Sequence, residues 1–284
     1  MKLTVLTENS VLRSDLKAEH GMSILVQADG INFLFDTGYF GAIRENAQKL
    51  GIDLTNIDAV AFSHNHVDHT GGFLSICDLI KPDCKIYAHK GFNIRKYWDH
   101  RFDPITDPTA AQNLEQVGPA MQSEYFFQNQ KYNFRIIEDD LYNVSENIYL
   151  VSNFPEQRGI EAVFPASRME INGEFVVDEF RDEQAAVIKT PNGLVVLTGC
   201  AHNGIMNILN TVKKHFPNDC IYRIFGGTHL VPYNEKRVKT TIDYFINSNI
   251  KFSGVCHCTG PAVADFAKSV KSYTKIGAGF VFEI

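Results

Sequence analysis

The chain has 284 residues, 44% of them hydrophobic, and a formal net charge of −6. That is enough apolar material for a sizeable core in one large sandwich-type domain. No apolar run reaches the roughly 18 residues of a membrane-spanning helix, and no long basic run offers a duplex nucleic acid its counter-charge.

Met1-Lys2-Leu3-Thr4-Val5-Leu6 turns polar at Thr7-Glu8-Asn9, which reads as a first strand and not as a signal peptide, so a cytoplasmic protein is expected. Short β-rich runs follow at Met22–Ala28, Ile31–Asp36, Ala59–Ser63 and Lys85–Ala88. From about 91 to 137 the pattern is less regular and holds Trp98, Pro104, Pro108 and Pro119. This stretch is read as an inserted helical cap or lid within a single domain spanning 1–284. Further strands are expected at Ile148–Ser152, Gln184–Lys189, Leu194–Thr198, Tyr222–Phe225, Ser253–Cys256 and Gly279–Glu283. Pro191-Asn192-Gly193 is a turn signal that makes Gln184–Thr198 a hairpin. Ile205, Ile208, Leu209, Val212 and Phe216 share one helix face. Val238, Ile242, Phe245 and Ile246 mark a second helix, and Val263, Phe266, Ala267 and Val270 a third. Strands followed by alternating strands and helices predict two sheets packed face to face with helices outside.

The chemistry is concentrated after the apolar strand Ala59–Ser63, in His64-Asn65-His66-Val67-Asp68-His69. A loop between a strand end and a helix start can turn four polar side chains toward one point. Imidazole and carboxylate suit Zn²⁺, Fe²⁺ or Mn²⁺, and a cation offsets the cost of gathering them. Gly71 and Gly72 allow close backbone approach beside the motif. The six cysteines form no Cys-x-x-Cys pair, so a zinc ribbon or four-thiolate cluster is not indicated. His89, His100 and His215 have no pattern around them.

The His-x-His-x-Asp-His motif after a short hydrophobic strand resembles the signature of the metallo-β-lactamase superfamily. Phe33-Leu34-Phe35-Asp36-Thr37-Gly38 and Val195-Val196-Leu197-Thr198-Gly199-Cys200 resemble two further motifs of that family. Glu19-His20-Gly21-Met22-Ser23, Gly199-Cys200-Ala201-His202-Asn203-Gly204, Gly226-Gly227-Thr228-His229-Leu230 and His257-Cys258-Thr259-Gly260 are similar to one branch. That branch comprises metal-dependent hydrolases of the β-lactamase superfamily II, including dihydropterin–ribofuranosylaminobenzene phosphate synthases.

The resemblance implies an α/β (α+β) fold, the four-layer αββα sandwich, with a mono- or dinuclear metal site at one edge. It implies that His64 and His66 bind a first metal, and Asp68, His69 and His257 a second. Asp36 would fix the histidine loop by hydrogen bonds. The third histidine of the first site has no clear counterpart before residue 195. His202 is the candidate, with Asp182 and Glu183 as alternatives. Cys200 stands where the family places a bridging Asp, and a thiolate there would favour softer metals such as zinc or iron. His229 is a candidate substrate contact or general acid, and His20 and Glu19 are candidate substrate contacts.

The expected activity is hydrolysis of a small molecule by a metal-activated water. Two divalent ions are expected, zinc first, with iron or manganese as alternatives. One alternative is transfer between a pterin diphosphate and an arylamine. Another is a di-iron redox or electron-transfer protein. Oligomeric state is left open.

Overall fold

The structure is a computed structural model that describes residues 1–102, 114–119, 132–156, 158–231 and 234–284. A seven-stranded sheet runs in the order Val281–Glu283, Lys2–Thr7, Ser23–Ala28, Ile31–Phe35, Ala59–Ala61, Lys85–His89 and Asn133–Ile137. A six-stranded sheet runs in the order Phe252–Val255, Ile221–Gly226, Gly193–Thr198, Ala185–Thr190, Ile148–Val151 and Leu141–Asn143. The inner faces of the two sheets meet in one apolar layer. Val5, Val26, Phe33 and Phe35 come from the first sheet, and Leu150, Ile188, Val195 and Phe225 from the second.

Alternate residues of the same strands face outward, as the two-residue period of a strand requires. Leu25, Leu34, Val60 and Ile86 pack with Ile43, Ala47, Phe73 and Ile76 from the helices Ala42–Lys49 and Phe73–Ile76. Val187, Leu194, Val196 and Ile224 pack with the helices Ile205–His215, Glu235–Asn247 and Val263–Ser269. The result is the αββα sandwich. Ile205, Ile208, Leu209 and Val212 form the buried stripe that their spacing predicts. The Pro191–Gly193 hairpin closes with Thr190 paired to Gly193.

The segment after Gly91 differs from expectation. Its described residues carry strands where a helical insertion is predicted. Lys96–Asp99 and Leu114–Gly118 pair with each other and, through Ser167–Ile171 and Glu174–Val177, complete a third, four-stranded sheet. The rest of the predicted cap, 103–113 and 120–131, lies outside the described residues.

Four strands of the first sheet, Ile31–Phe35, Ala59–Ala61, Lys85–His89 and Asn133–Ile137, run parallel. So do Gly193–Thr198, Ile221–Gly226 and Phe252–Val255 of the second. In open α/β sheets, ligands gather outside the carboxyl ends of such strands. Those ends deliver Asp36, His64, Cys200, His229 and His257.

Candidate metal centre

The motif strand ends at Ala61, and the chain bends through His64 and His66 into the short helix Val67–Thr70. This turn packs on the loop after Ile31–Phe35. A side chain at Gly71 would strike the Tyr39 carbonyl, and one at Gly72 the Thr37 carbonyl. The two glycines therefore set how closely the histidine turn approaches Asp36.

Two groups of donor atoms result, and within each the atoms lie within 4.8 Å of one another. The first is His64, His66 and His202. Their rings stand 4.6–4.8 Å apart, centroid to centroid. The second is Asp68, His69, Cys200 and His257. Here Asp68 Oδ2 is 3.5 Å from His69 Nε2 and 3.1 Å from His257 Nε2. Cys200 Sγ lies 3.2 Å from His69 Nε2 and 3.3 Å from His257 Nε2. The groups adjoin, because the His64 and His69 rings are 4.4 Å apart.

These residues fit divalent cations. Nε2 of His64 and of His202 is buried without a hydrogen-bond partner among the described residues. Such an orphan is costly unless something absent from the protein itself satisfies it. The 3.1–3.5 Å separations in the second group suit a tetrahedral site, whose edges are about 3.3–3.7 Å for N, O and S ligands.

Hydrogen bonds aim the rings. His69 Nδ1 donates to Asp36 Oδ2 at 2.7 Å. Asp36 also accepts from the Ser63 amide and hydroxyl, both at 2.7 Å. Having donated to Asp36, the Ser63 hydroxyl accepts from His64 Nδ1 at 2.9 Å. His257 Nδ1 donates to Asn9 Oδ1 at 2.9 Å. In all three rings Nε2 is left facing the donor groups, as in metal sites whose ligands are oriented from behind. Asp36, His229 and His257 all sit at left-handed φ values of 42–59°, conformations that non-glycine residues rarely adopt and that cluster at functional sites.

Electrostatics match in the first group, whereas in the second the protons on His69 and Cys200 are held and an ion would have to displace them. Burial, then the charges of His69 and His66, holds His64 well below the usual histidine pKa. His66 and His202 are lowered likewise, burial first. Neutral imidazole is the form that binds a cation. Burial also lowers His69, but the Asp68 and Asp36 carboxylates outweigh it and bring it up to about 9. Burial, then the neighbouring Cys258, pushes the Cys200 thiol well up.

His202 is the residue brought together with His64 and His66. Asp182 and Glu183 are committed elsewhere. Asp182 accepts from the Asn65 amide at 3.0 Å and from Lys96, and Glu183 accepts from the His202 and Asn203 amides at 2.7 Å. His229 is buried, its ring 4.1 Å from that of His202. His20 sits at the cavity mouth, Nε2 3.4 Å from Asp68 Oδ2. Glu19 departs from its expected substrate contact. Its carboxylate accepts from the amides of Tyr39, Phe40, Gly41 and Ala42 at 3.1–3.3 Å, capping the start of Ala42–Lys49. It is absent from the described cavity wall.

Both groups open onto a cavity of about 570 Å³, whose walls include Tyr39, Trp98, Glu115, Val117 and Val231. Sequence reading missed Ser63 and Asn9 as part of this site. Both carried a signal, since each is a polar residue just past an apolar strand. Trp98 is read only as a member of the expected cap, and it does line the cavity.

A sandwich of this topology with histidine and carboxylate donors at its edge defines a class, and the sequence agrees. The chain belongs to the metallo-β-lactamase superfamily, whose family model matches residues 16–196. Over 255 residues it is 28% identical to the 7,8-dihydropterin-6-methyl-4-(β-D-ribofuranosyl)-aminobenzene-5′-phosphate synthase of Methanocaldococcus jannaschii, covering 86% of this chain and 82% of that protein. It is 30% identical to a structurally solved metal-dependent hydrolase of the β-lactamase superfamily, with a TM-score of 0.83 over 100% of this chain and 99% of that one. Zn²⁺-bound PqqB from Methylobacterium extorquens, 13% identical, shares the fold with a TM-score of 0.57 over all of both chains. No described helix is long and apolar enough to cross a membrane.

Proposed function

We propose that the protein is a metal-dependent hydrolase of a small-molecule ester, amide or phosphoester, working in the cytoplasm with two divalent ions, zinc by default and iron or manganese as alternatives. The observation that carries this reading is the pair of adjoining donor groups opening onto one cavity. The volume is within the range of about 300–1,000 Å³ common for small-molecule sites.

His64, His66 and His202 would hold one ion, and Asp68, His69, Cys200 and His257 the other. Ions bound there supply a polarising charge to the scissile group and lower the pKa of water. Asp36 keeps His69 and Ser63 in register. Burial, then the positive charge of Arg237, brings His229 down to about 3, so its neutral ring serves as a hydrogen-bond partner for substrate and not as a charged acid. His20 meets substrate at the mouth. Trp98, Glu115 and Val117, from the two described strands after Gly91, stand in the cavity wall and select substrate.

Transfer between a pterin diphosphate and an arylamine is the second reading, favoured by similarity to the archaeal synthase. It ranks second because no Lys or Arg among the described residues lines the cavity to meet a diphosphate. The deciding experiment incubates metal-loaded protein with activated esters, lactones and phosphodiesters, and separately with a pterin diphosphate and an arylamine. Hydrolysis that is lost in His66→Ala is expected. Arylamine condensation without hydrolysis would replace this reading with the second.

A further inference from the structure

Behind the three-histidine group lies a buried charge cluster that the proposed function does not use. Lys96 is 2% exposed, and its ammonium stands 2.9 Å from Asp178 Oδ2 and also contacts Asp182 Oδ1. Burial opposes the charge on Lys96, but the two carboxylates outweigh it and raise its pKa. Burying three ionisable groups is costly, and such a cluster is weak support for stability as such. What it does provide is fixed geometry.

Each carboxylate spends its other oxygen on the backbone of the metal site. Asp182 Oδ2 accepts from the amide of Asn65, the residue between His64 and His66, at 3.0 Å. Asp178 Oδ1 accepts from the amide of Phe180 at 2.8 Å, holding that residue at a left-handed φ of 49°. The Phe180 ring lies flat on His202, with centroids 3.8 Å apart and planes 4° off parallel. It also meets His66 and His64 edge-on at 5.5 and 6.3 Å. The same ring lies under the Lys96 ammonium, 4.4 Å from its centroid. One aromatic ring therefore backs all three histidines, and one lysine holds both that ring and the histidine turn.

Lys96 also begins the strand Lys96–Asp99 of the small sheet. The same strand carries Trp98, which lines the cavity. Asn65 reinforces the link, its side-chain amide donating to the carbonyls of Phe92 and Ile94.

We infer that Lys96, with Asp178, Asp182 and Phe180, is a positioning device that sets the spacing of His64, His66 and His202 for an ion and locks the Trp98 strand to it. The inference rests on the metal-centre reading above. The residues act through the histidines and touch neither substrate nor ion.

The test compares wild-type protein with Phe180→Leu, Lys96→Arg and Lys96→Met by zinc stoichiometry, chelator competition and the absorption of the cobalt-substituted proteins. Phe180→Leu keeps the charge cluster and removes the ring. It is expected to weaken one ion of the two by about tenfold or more, the scale seen when a residue behind a ligand is lost. The cobalt d–d bands should shift, while the thiolate-to-cobalt band from the Cys200 group stays in place. Lys96→Arg should lie closer to wild type than Lys96→Met. If Lys96→Met does not fold, Phe180→Leu decides alone. Wild-type affinity and spectrum in Phe180→Leu, or equal weakening of both ions, would overturn the inference and leave the metal centre standing. A wild-type protein that binds no ion would remove both.

Discussion

Asp36 accepts the Nδ1 hydrogen of His69 at 2.7 Å while its carboxylate also holds both the amide and the hydroxyl of Ser63. One buried side chain thus orients a ligand candidate of the second group directly and, through Ser63, His64 of the first. Asp36→Asn replaces an acceptor by a donor among three donors. The expected outcome is a folded protein whose affinity for the second ion falls by about 10–100-fold, read by chelator competition. Unchanged affinity would show that Asp36 is only a turn residue.

The two donor groups should be separable. His66→Ala removes a ligand from the first group and Asp68→Ala one from the second. Each variant is expected to lose one ion and keep the other, by elemental analysis after dialysis. Full metal content in either would refute the assignment of that residue.

Cys200 lies in the second group only, its sulfur against two imidazole nitrogens. In cobalt-substituted protein it should give a thiolate-to-metal charge-transfer band in the near ultraviolet. Cys200→Asp, which supplies the carboxylate that the family pattern places there, should keep the ion and lose the band. If the band persists, the sulfur belongs to another cysteine, and Cys258, which also lines the cavity, becomes the candidate.

Without metal, the histidines make stability depend on pH with two opposite signs. His64, His66 and His202 are lowered from the usual 6.5. As pH falls below 6.5 the unfolded chain takes up protons that the folded chain refuses, so stability drops. His69 is raised to about 9. Its contribution is fully present below 6.5 and is lost as pH rises through about 9. The chelator-treated protein should therefore have its highest thermal midpoint near pH 6.5. In His69→Gln the decline between pH 6.5 and about 9 should vanish, and its persistence there would assign it to other groups.

How much of this was legible in the sequence depends on where the signal resides. The histidine turn, the Pro191–Gly193 hairpin and the Ile205–His215 stripe are local patterns, each fixed by its own spacing, and each is found where it was expected. The small sheet was not legible. Its strand Leu114–Gly118 is mostly half-buried or exposed, so it shows no apolar run or clean alternation. Lys96 and Phe180 carry no motif, because their importance arises only when distant segments fold against His202. Glu19 misled by adjacency. It neighbours His20, yet its acceptors are used by four amides at a helix start.

The central claim is a two-ion centre built from His64, His66 and His202 beside Asp68, His69, Cys200 and His257. The most direct measurement is elemental analysis of protein purified without added metal, reported as ions per chain. About two transition-metal ions per chain are expected, colourless protein marking zinc and a visible absorption band marking iron. Protein that holds no such ion, and takes none up from excess zinc, iron or manganese, would contradict the account.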